Sequence, residues 1–306
     1  MAPSCSLVLG TAQLGLSYGI ANKTGIPDQA MATAIVREAW ENGIEQFDTA
    51  QAYGGSEIVL GKVLAELGIS QKAKIISKFD PNLDHLNAPA MSRSLDQSLR
   101  RLGVPKVYGM LLHKEELLEL WDLGLSKILR TFVLSGKVEQ IGISVYSSER
   151  AIQALNTKGI DMVQLPTNVL DRRFEEAGVF ELAHYKKNQI FIRSIYLQGL
   201  LLMDSEKIPE KLAFARPLIE SFESLAKNLG LTRQEIALGY LKLEMPHGHL
   251  IFGAETPTQV KENVVAWGKK MPESLAGQIK ALFPKVREDI LNPVLWSSLS
   301  GESLKA

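Results

Sequence analysis

The chain reads as a (β/α)8 barrel, an α/β fold in which eight parallel strands are each followed by a helix. Three observations lead there. Eight short apolar runs recur along 306 residues. Segments with helical spacing fill the intervals, and no Pro/Gly/Ser-rich linker or low-complexity stretch breaks the alternation. Short, almost wholly apolar strands suit a sheet covered on both faces. The expected organisation is one domain over 1–306, with the barrel at about 6–267 and a C-terminal extension at about 268–306 lying over it.

The first strand is expected at 7–10, and the others at 45–48, 74–78, 107–112, 140–144, 162–165, 190–194 and 250–252. After the first strand, Met31, Ile35 and Ala39 recur every four residues, beside Ala32, Val36 and Trp40. That stripe is one buried helix face, ending at Asn42-Gly43. Met91, Leu95, Leu99 and Leu102 form a second stripe, stopped by Gly103. Two helices fit between the seventh and eighth strands, at 211–228 and 232–243, and Thr232 with Glu235 reads as a capping box. The eighth helix falls at about 258–267. The remaining tail carries an amphipathic stretch at 275–286 and then LNPVLW at 291–296.

Composition excludes several classes. Lys plus Arg and Asp plus Glu are each 34, so the formal charge is zero. This argues against a nucleic-acid binder or a polybasic membrane-surface protein. A single cysteine, Cys5, rules out an intramolecular disulfide and a Cys-based zinc site. No apolar run approaches the roughly 18 residues of a membrane span, and the N-terminus lacks a secretory pattern. The expectation is a cytoplasmic protein, monomeric or weakly homo-oligomeric, acting on a small molecule. The two histidines of 246–249 lack a clear Asp or Cys partner and read as a loop, so no metal site is expected.

In such a barrel chemistry sits where strands end and loops begin. Strand two ends at Asp48 with Tyr53 in its loop, strand three at Lys78, and strand four is followed by His113. A tyrosine is a poor acid near neutrality, and a neighbouring ammonium favours its phenolate. A buried lysine needs a carboxylate partner, which Asp48 supplies. The chain Asp48–Lys78–Tyr53 is then a tuned general acid, with His113 placed to hold a carbonyl oxygen or relay a proton. Carbonyl reduction fits that set.

At these residues the sequence resembles the aldo-keto reductase superfamily. The matching stretches are LGTAQLG (9–15), FDTAQAYGGSEIVLG (47–61), SK (77–78), LLH (111–113), IGIS (141–144), QLPTN (164–168), QGLL (198–201) and GAETPTQVKEN (253–263). The resemblance implies an NAD(P)H-dependent reductase with Asp48, Tyr53, Lys78 and His113 as its catalytic set. It also implies cofactor contacts at Gly10 and Thr11, at Ser144 and Gln164 near the carboxamide, and at Gly199 and Leu200 along the pyrophosphate. Gly253, Glu255, Gln259, Glu262 and Asn263 fall at the adenosine end.

Three positions depart from the family pattern. Val145 stands where an Asn is common. Arg193 replaces an aromatic ring at the end of strand seven, leaving a structural ion pair, a cofactor contact and a substrate contact open. Glu255 stands where NADPH-preferring members carry Arg or Lys, which leans toward NADH without excluding NADPH. The loop at 11–28 offers Gln13, Tyr18 and Asn22 to a substrate, and Trp296 offers a closing ring from the tail. These polar groups suit a sugar-like carbonyl or alcohol. Two other readings stay open: a nucleotide-holding regulatory protein, and a cofactor-assisted sugar epimerase.

Overall fold

The computed structural model describes residues 5–22 and 24–296. Its strands are β1 (Ser6–Gly10), β2 (Gln46–Asp48), β3 (Lys74–Lys78), β4 (Val107–Leu112), β5 (Val138–Ser144), β6 (Met162–Pro166), β7 (Gln189–Arg193) and β8 (Gly248–Gly253). They close in chain order into a parallel barrel, β8 returning to β1 through Ser6↔His249 to Gly10↔Gly253. The fold is therefore a (β/α)8 barrel. Each strand lies on a predicted run, with one informative shift at β7. That strand ends at Arg193, and Ser194 turns into the left-handed region at φ 60°.

The outer ring is α1 (Gln29–Glu41), α2 (Ser56–Glu66), α3 (Ala88–Leu102), α4 (Ser126–Leu134), α5 (Ser148–Asn156), α6 (Arg173–Glu176), α7 (Val179–Lys186), α8 (Arg216–Leu229), α9 (Arg233–Glu244) and α10 (Pro257–Gly268). The expected stripes are buried at Ile35 and Ala39 on α1, where Met31 is instead exposed in the first turn, and at Met91, Leu95, Leu99 and Leu102 on α3. Gly103 caps α3 at φ 67°, a conformation that favours glycine. The capping box of Thr232 and Glu235 is formed at α9. The helix expected at 211–228 is shorter than its periodicity implies. A 3-10 turn at Glu210–Ala215 precedes α8, whose first turn holds Pro217, a residue without an N–H to lose there. The tail folds as α11 (Leu275–Leu282), α12 (Glu288–Leu291) and a 3-10 turn at Pro293–Trp296. Among the described residues no helix is long and apolar enough to cross a membrane.

The barrel has its own core, distinct from the shell between strands and helices. Val8, Ile76, Leu111, Met162, Phe191 and Ile251 fill it. Met162 takes the centre because its neighbours are small. A Cβ on Gly109 would lie 2.7 Å from its Sδ, and one on Gly142 2.8 Å from its Cβ. Phe191 of this layer stacks on His249 at 4.7 Å, and Ser6 bonds the His249 ring at 2.8 Å. Tyr108 donates to Gln189, which donates to Gln140. This floor closes the lower end of the barrel, leaving the site at the C-terminal ends of the strands.

Candidate functional site

Asp48 and Lys78, the last residues of β2 and β3, meet inside the rim. Lys78 Nζ donates to Asp48 Oδ1 at 2.7 Å, to Oδ2 at 2.8 Å and to the Thr49 carbonyl at 2.9 Å. Side-chain exposures of 1% and 6% make this a buried pair. An ammonium has three donors, and all three are committed here. Gln164, from β6, adds a fourth contact by donating to Asp48 Oδ1 at 2.7 Å.

Tyr53 stands in the loop after β2, fixed from both sides. Thr11 donates to the Asp48 carbonyl, and Ser56 bridges the hydroxyls of Thr11 and Thr49 at 2.8 and 3.0 Å. Gln51 accepts from Asp80 N at 2.7 Å and donates to Ser98, tying the loop to the end of β3. Gly15 packs on the Tyr53 turn so closely that a Cβ would come within 2.0 Å of the Tyr53 carbonyl oxygen. The Tyr53 ring thus sits with Lys78 Nζ 4.9 Å from its centroid and His113 edge-on at 5.9 Å.

The electrostatics differ from the sequence expectation in one respect. The Tyr53 hydroxyl is pushed above its ordinary value, first by burial and then by the negative charge of Asp48, with Arg193 opposing. The Lys78 ammonium is paired with Asp48, whose charge offsets its own. Burial pulls Lys78 itself downward, and Asp48 resists through charge and hydrogen bonds. His113 falls to about 3 through burial, then through the positive charges of Lys78, Arg193 and Lys114, so its ring is neutral.

Two connected spaces open above these groups. A cleft of about 330 Å³ runs from Asp48 and Tyr53 past Gly10, Gly199 and Gly253 to Glu255, Gln259, Glu262 and Asn263. A smaller cavity of about 200 Å³ holds Tyr53, His113, Ser144, Gln164 and Arg193, and Tyr18 and Arg193 line both spaces. The β7 loop bordering the cleft is unusual. Ser194, Leu197 and Gln198 have φ of 60°, 46° and 55°, and Gly199 has 96°. Such left-handed residues turn backbone groups the same way and cluster at ligand sites. The β1 loop crosses the cleft: Ile20 N donates to Gln198 O at 3.1 Å, and Thr24 Oγ1 to Glu255 at 3.3 Å.

The chain matches the Aldo/keto reductase family model over residues 6–283. It belongs to that family. It is 27% identical over 272 residues to L-galactose dehydrogenase of Arabidopsis thaliana, covering 84% of this chain and 82% of that protein. It is 25% identical over 276 residues to a putative voltage-gated potassium channel subunit beta of Schizosaccharomyces pombe, with 76% and 77% covered. Among solved structures, the aldo-keto reductase AKR11C1 from Bacillus halodurans superposes with a TM-score of 0.75 at 23% identity, covering 94% and 95% of the two chains.

Within this aldo-keto reductase fold the sequence-predicted residues fall into two groups. Most of them line the two spaces. Lys78, Thr11 and Leu200 do not: Lys78 is buried beneath them against Asp48, the Thr11 side chain is engaged in the loop network and Leu200 is buried behind the wall. Gln13, Tyr18 and Asn22 line the cleft. Trp296 needs correction. Its indole donates to Asp289 O at 2.9 Å and it is buried in the tail. The cavity wall from the tail is instead Leu291, Asn292, Pro293 and Val294. Arg193 makes no structural ion pair among the described residues; its guanidinium lies 4.2 Å over the Tyr146 ring. Sequence reasoning missed Tyr146. An aromatic residue just beyond the end of β5 was the available signal.

Proposed function

We propose that the protein transfers hydride between a nicotinamide cofactor and a small polar carbonyl or alcohol, with Tyr53 as the proton-transferring group. The observation that carries this reading is the convergence of Tyr53, neutral His113, Ser144 and Gln164 on one 200 Å³ cavity above the buried Asp48–Lys78 pair. The residues present also fit the cofactor. Gln164 Oε1 is buried and has no hydrogen-bond partner, which suits the amino group of a carboxamide. The left-handed loop through Gly199 suits a pyrophosphate.

The bound cofactor would supply hydride to the carbonyl carbon. The chain's own residues do the rest. His113 donates a hydrogen bond to the carbonyl oxygen as a neutral imidazole, and Tyr53 delivers a proton to that oxygen as charge develops on it. Asp48 and Lys78 hold the floor rigid under the Tyr53 ring. Gln164 links the carboxamide end of the cleft to Asp48.

The cofactor reading leans to NADH. Of the described charged residues lining the cleft, Glu255 and Glu262 lie at the adenosine end, while Arg193 lies with Asp48 and Tyr53 at the other. A 2′-phosphate would meet carboxylates. The relative named L-galactose dehydrogenase supports a sugar-like substrate. Fluorescence titration with NADH and NADPH, followed by turnover of an aldehyde and sugar panel with wild type and Tyr53→Phe, tests the whole reading. Binding without turnover on any substrate favours a nucleotide-holding role. Conversion without net cofactor consumption favours an epimerase.

A further inference from the structure

We infer that the small cavity is built for a short carbonyl substrate bearing a carboxylate, held by Arg193. This deepens the proposed reductase function and rests on it for the word substrate. The charge layout carries the argument. Among the described residues no Asp or Glu lines this cavity, whereas hydrogen-bond donors line it from several sides: Tyr18, Tyr53, His113, Tyr146, Asn292 and Arg193. Asp48 and Lys78 cancel each other beneath it. The cavity's other arginine, Arg173, is neutralised by a two-point pair with Asp171 at 3.0 and 2.8 Å. Arg193 is not. It is only partly exposed, yet its hydrogen bonds are two long ones, at 3.4 Å to Ser194 Oγ and 3.4 Å to the Val145 carbonyl. Its guanidinium carbon lies 4.2 Å over the Tyr146 ring, and a guanidinium is a fork suited to a planar, two-oxygen acceptor.

The count of cations selects a carboxylate over a phosphate. A phosphate carries nearly two charges and three acceptor oxygens. Among the described residues one cation here is uncommitted, and the neutral His113 adds no second. Size limits the rest. The cavity is small, about 200 Å³, beside the cleft of about 330 Å³. With the carbonyl oxygen at Tyr53 and His113 and the carboxylate at Arg193, the substrate is a short oxo acid, and the alcohol formed from it is a short hydroxy acid.

The test has a binding arm and a turnover arm. In cofactor-free protein, glycerate raises the thermal midpoint, equimolar glycerol does not, and Arg193→Gln abolishes the glycerate effect. In turnover, kcat/KM for succinic semialdehyde exceeds that for butanal by about tenfold to hundredfold, the range for one charge-assisted pair. Arg193→Gln collapses that ratio toward one, and Arg193→Lys restores part of it. A ratio unchanged by Arg193→Gln overturns the inference while leaving the reductase reading intact. So does an Arg193-dependent preference for glyceraldehyde 3-phosphate over succinic semialdehyde, which would assign the phosphate instead. A loss of NADH affinity in Arg193→Gln with the substrate ratio preserved also overturns it, making Arg193 a cofactor contact. Arg193-dependent glycerate binding with no turnover of any aldehyde supports the carboxylate site and removes the reductase function.

Discussion

Replacing Lys78 by methionine keeps the stem that packs against Tyr53 and removes three donors at once. Asp48 then retains Gln164 as its side-chain partner, at 2.7 Å, in a site where its own side chain is 6% exposed. Removing one member of a buried pair costs about 3–5 kcal/mol, because the remaining charge is uncompensated. With an unfolding entropy of about 2.1 cal/mol/K per residue over 306 residues, that corresponds to a fall in Tm of roughly 5–8 °C. Urea unfolding and thermal scans should be run on wild type, Lys78→Met, and Lys78→Met with Asp48→Asn. The asparagine keeps the shape of Asp48 and removes the orphaned charge, so the double variant should recover at least about 2 kcal/mol of the loss. Neither variant should reduce carbonyls. A double variant no more stable than Lys78→Met would show that the two side chains are not coupled, and the account of the floor would fail.

Tyr53→Phe should lower reductive turnover by about 10²–10⁴ while leaving NADH binding in place; fluorescence titration and steady-state rates check both halves. The depressed His113 value of about 3, against 6.5 for a free ring, means the unfolded chain takes up that proton first. Its contribution to stability is complete above about pH 6.5 and is lost as pH falls toward 3, at up to about 1.4 kcal/mol per pH unit. Urea midpoints across that window should show the slope, and His113→Gln should flatten it. At the other end of the cleft, wild type should prefer NADH by about tenfold to hundredfold, since like charges about 5 Å apart repel by roughly 3 kcal/mol before screening at an effective dielectric of 20. Glu255→Arg should weaken or reverse that preference in fluorescence titrations, and tighter NADPH binding by wild type would dismiss Glu255 as the discriminator.

The barrel was legible because a parallel sheet buried on both faces demands apolar runs, and helices packed on it demand stripes. Asp48, Lys78 and His113 were legible for a related reason: a polar side chain ending an apolar strand has only the rim to occupy. What stayed hidden depends on backbone direction. The run from Ile190 to Ser194 reads as strand, yet Ser194 turns left-handed, and nothing in Ser, Leu or Gln announces such a φ. The tail shows the same limit. Its bulkiest residue, Trp296, drew the expectation, but the chain through Asn292 and Pro293 brings its indole back to Asp289. The smaller Asn292, Pro293 and Val294 form the wall instead. For Arg193 the sequence left three roles open, and the missing carboxylate partner removes the structural ion pair.

The same geometry predicts how Tyr53 responds to pH. Proximity of an ammonium suggests a lowered phenol pKa, but proximity is not contact. Lys78 directs its three N–H groups at Asp48 and Thr49 and stands 4.9 Å from the ring centroid. Burial and the Asp48 charge therefore prevail, and the hydroxyl is raised, not lowered. A raised phenol keeps its proton through the neutral range, so the acid that the proposed reduction needs is always loaded. The reverse reaction needs the phenolate, whose fraction rises tenfold for each pH unit below the pKa. In the wild type, kcat/KM for reduction should be flat from about pH 6 to 9, whereas oxidation of the corresponding alcohol should climb across the same range without a plateau. Ultraviolet difference titration of cofactor-free wild type against Tyr53→Phe should show no tyrosinate from Tyr53 below about pH 10. A Tyr53-dependent tyrosinate signal near neutrality would mean that Lys78 does govern the phenol, and the assignment of Lys78 to the floor would be wrong.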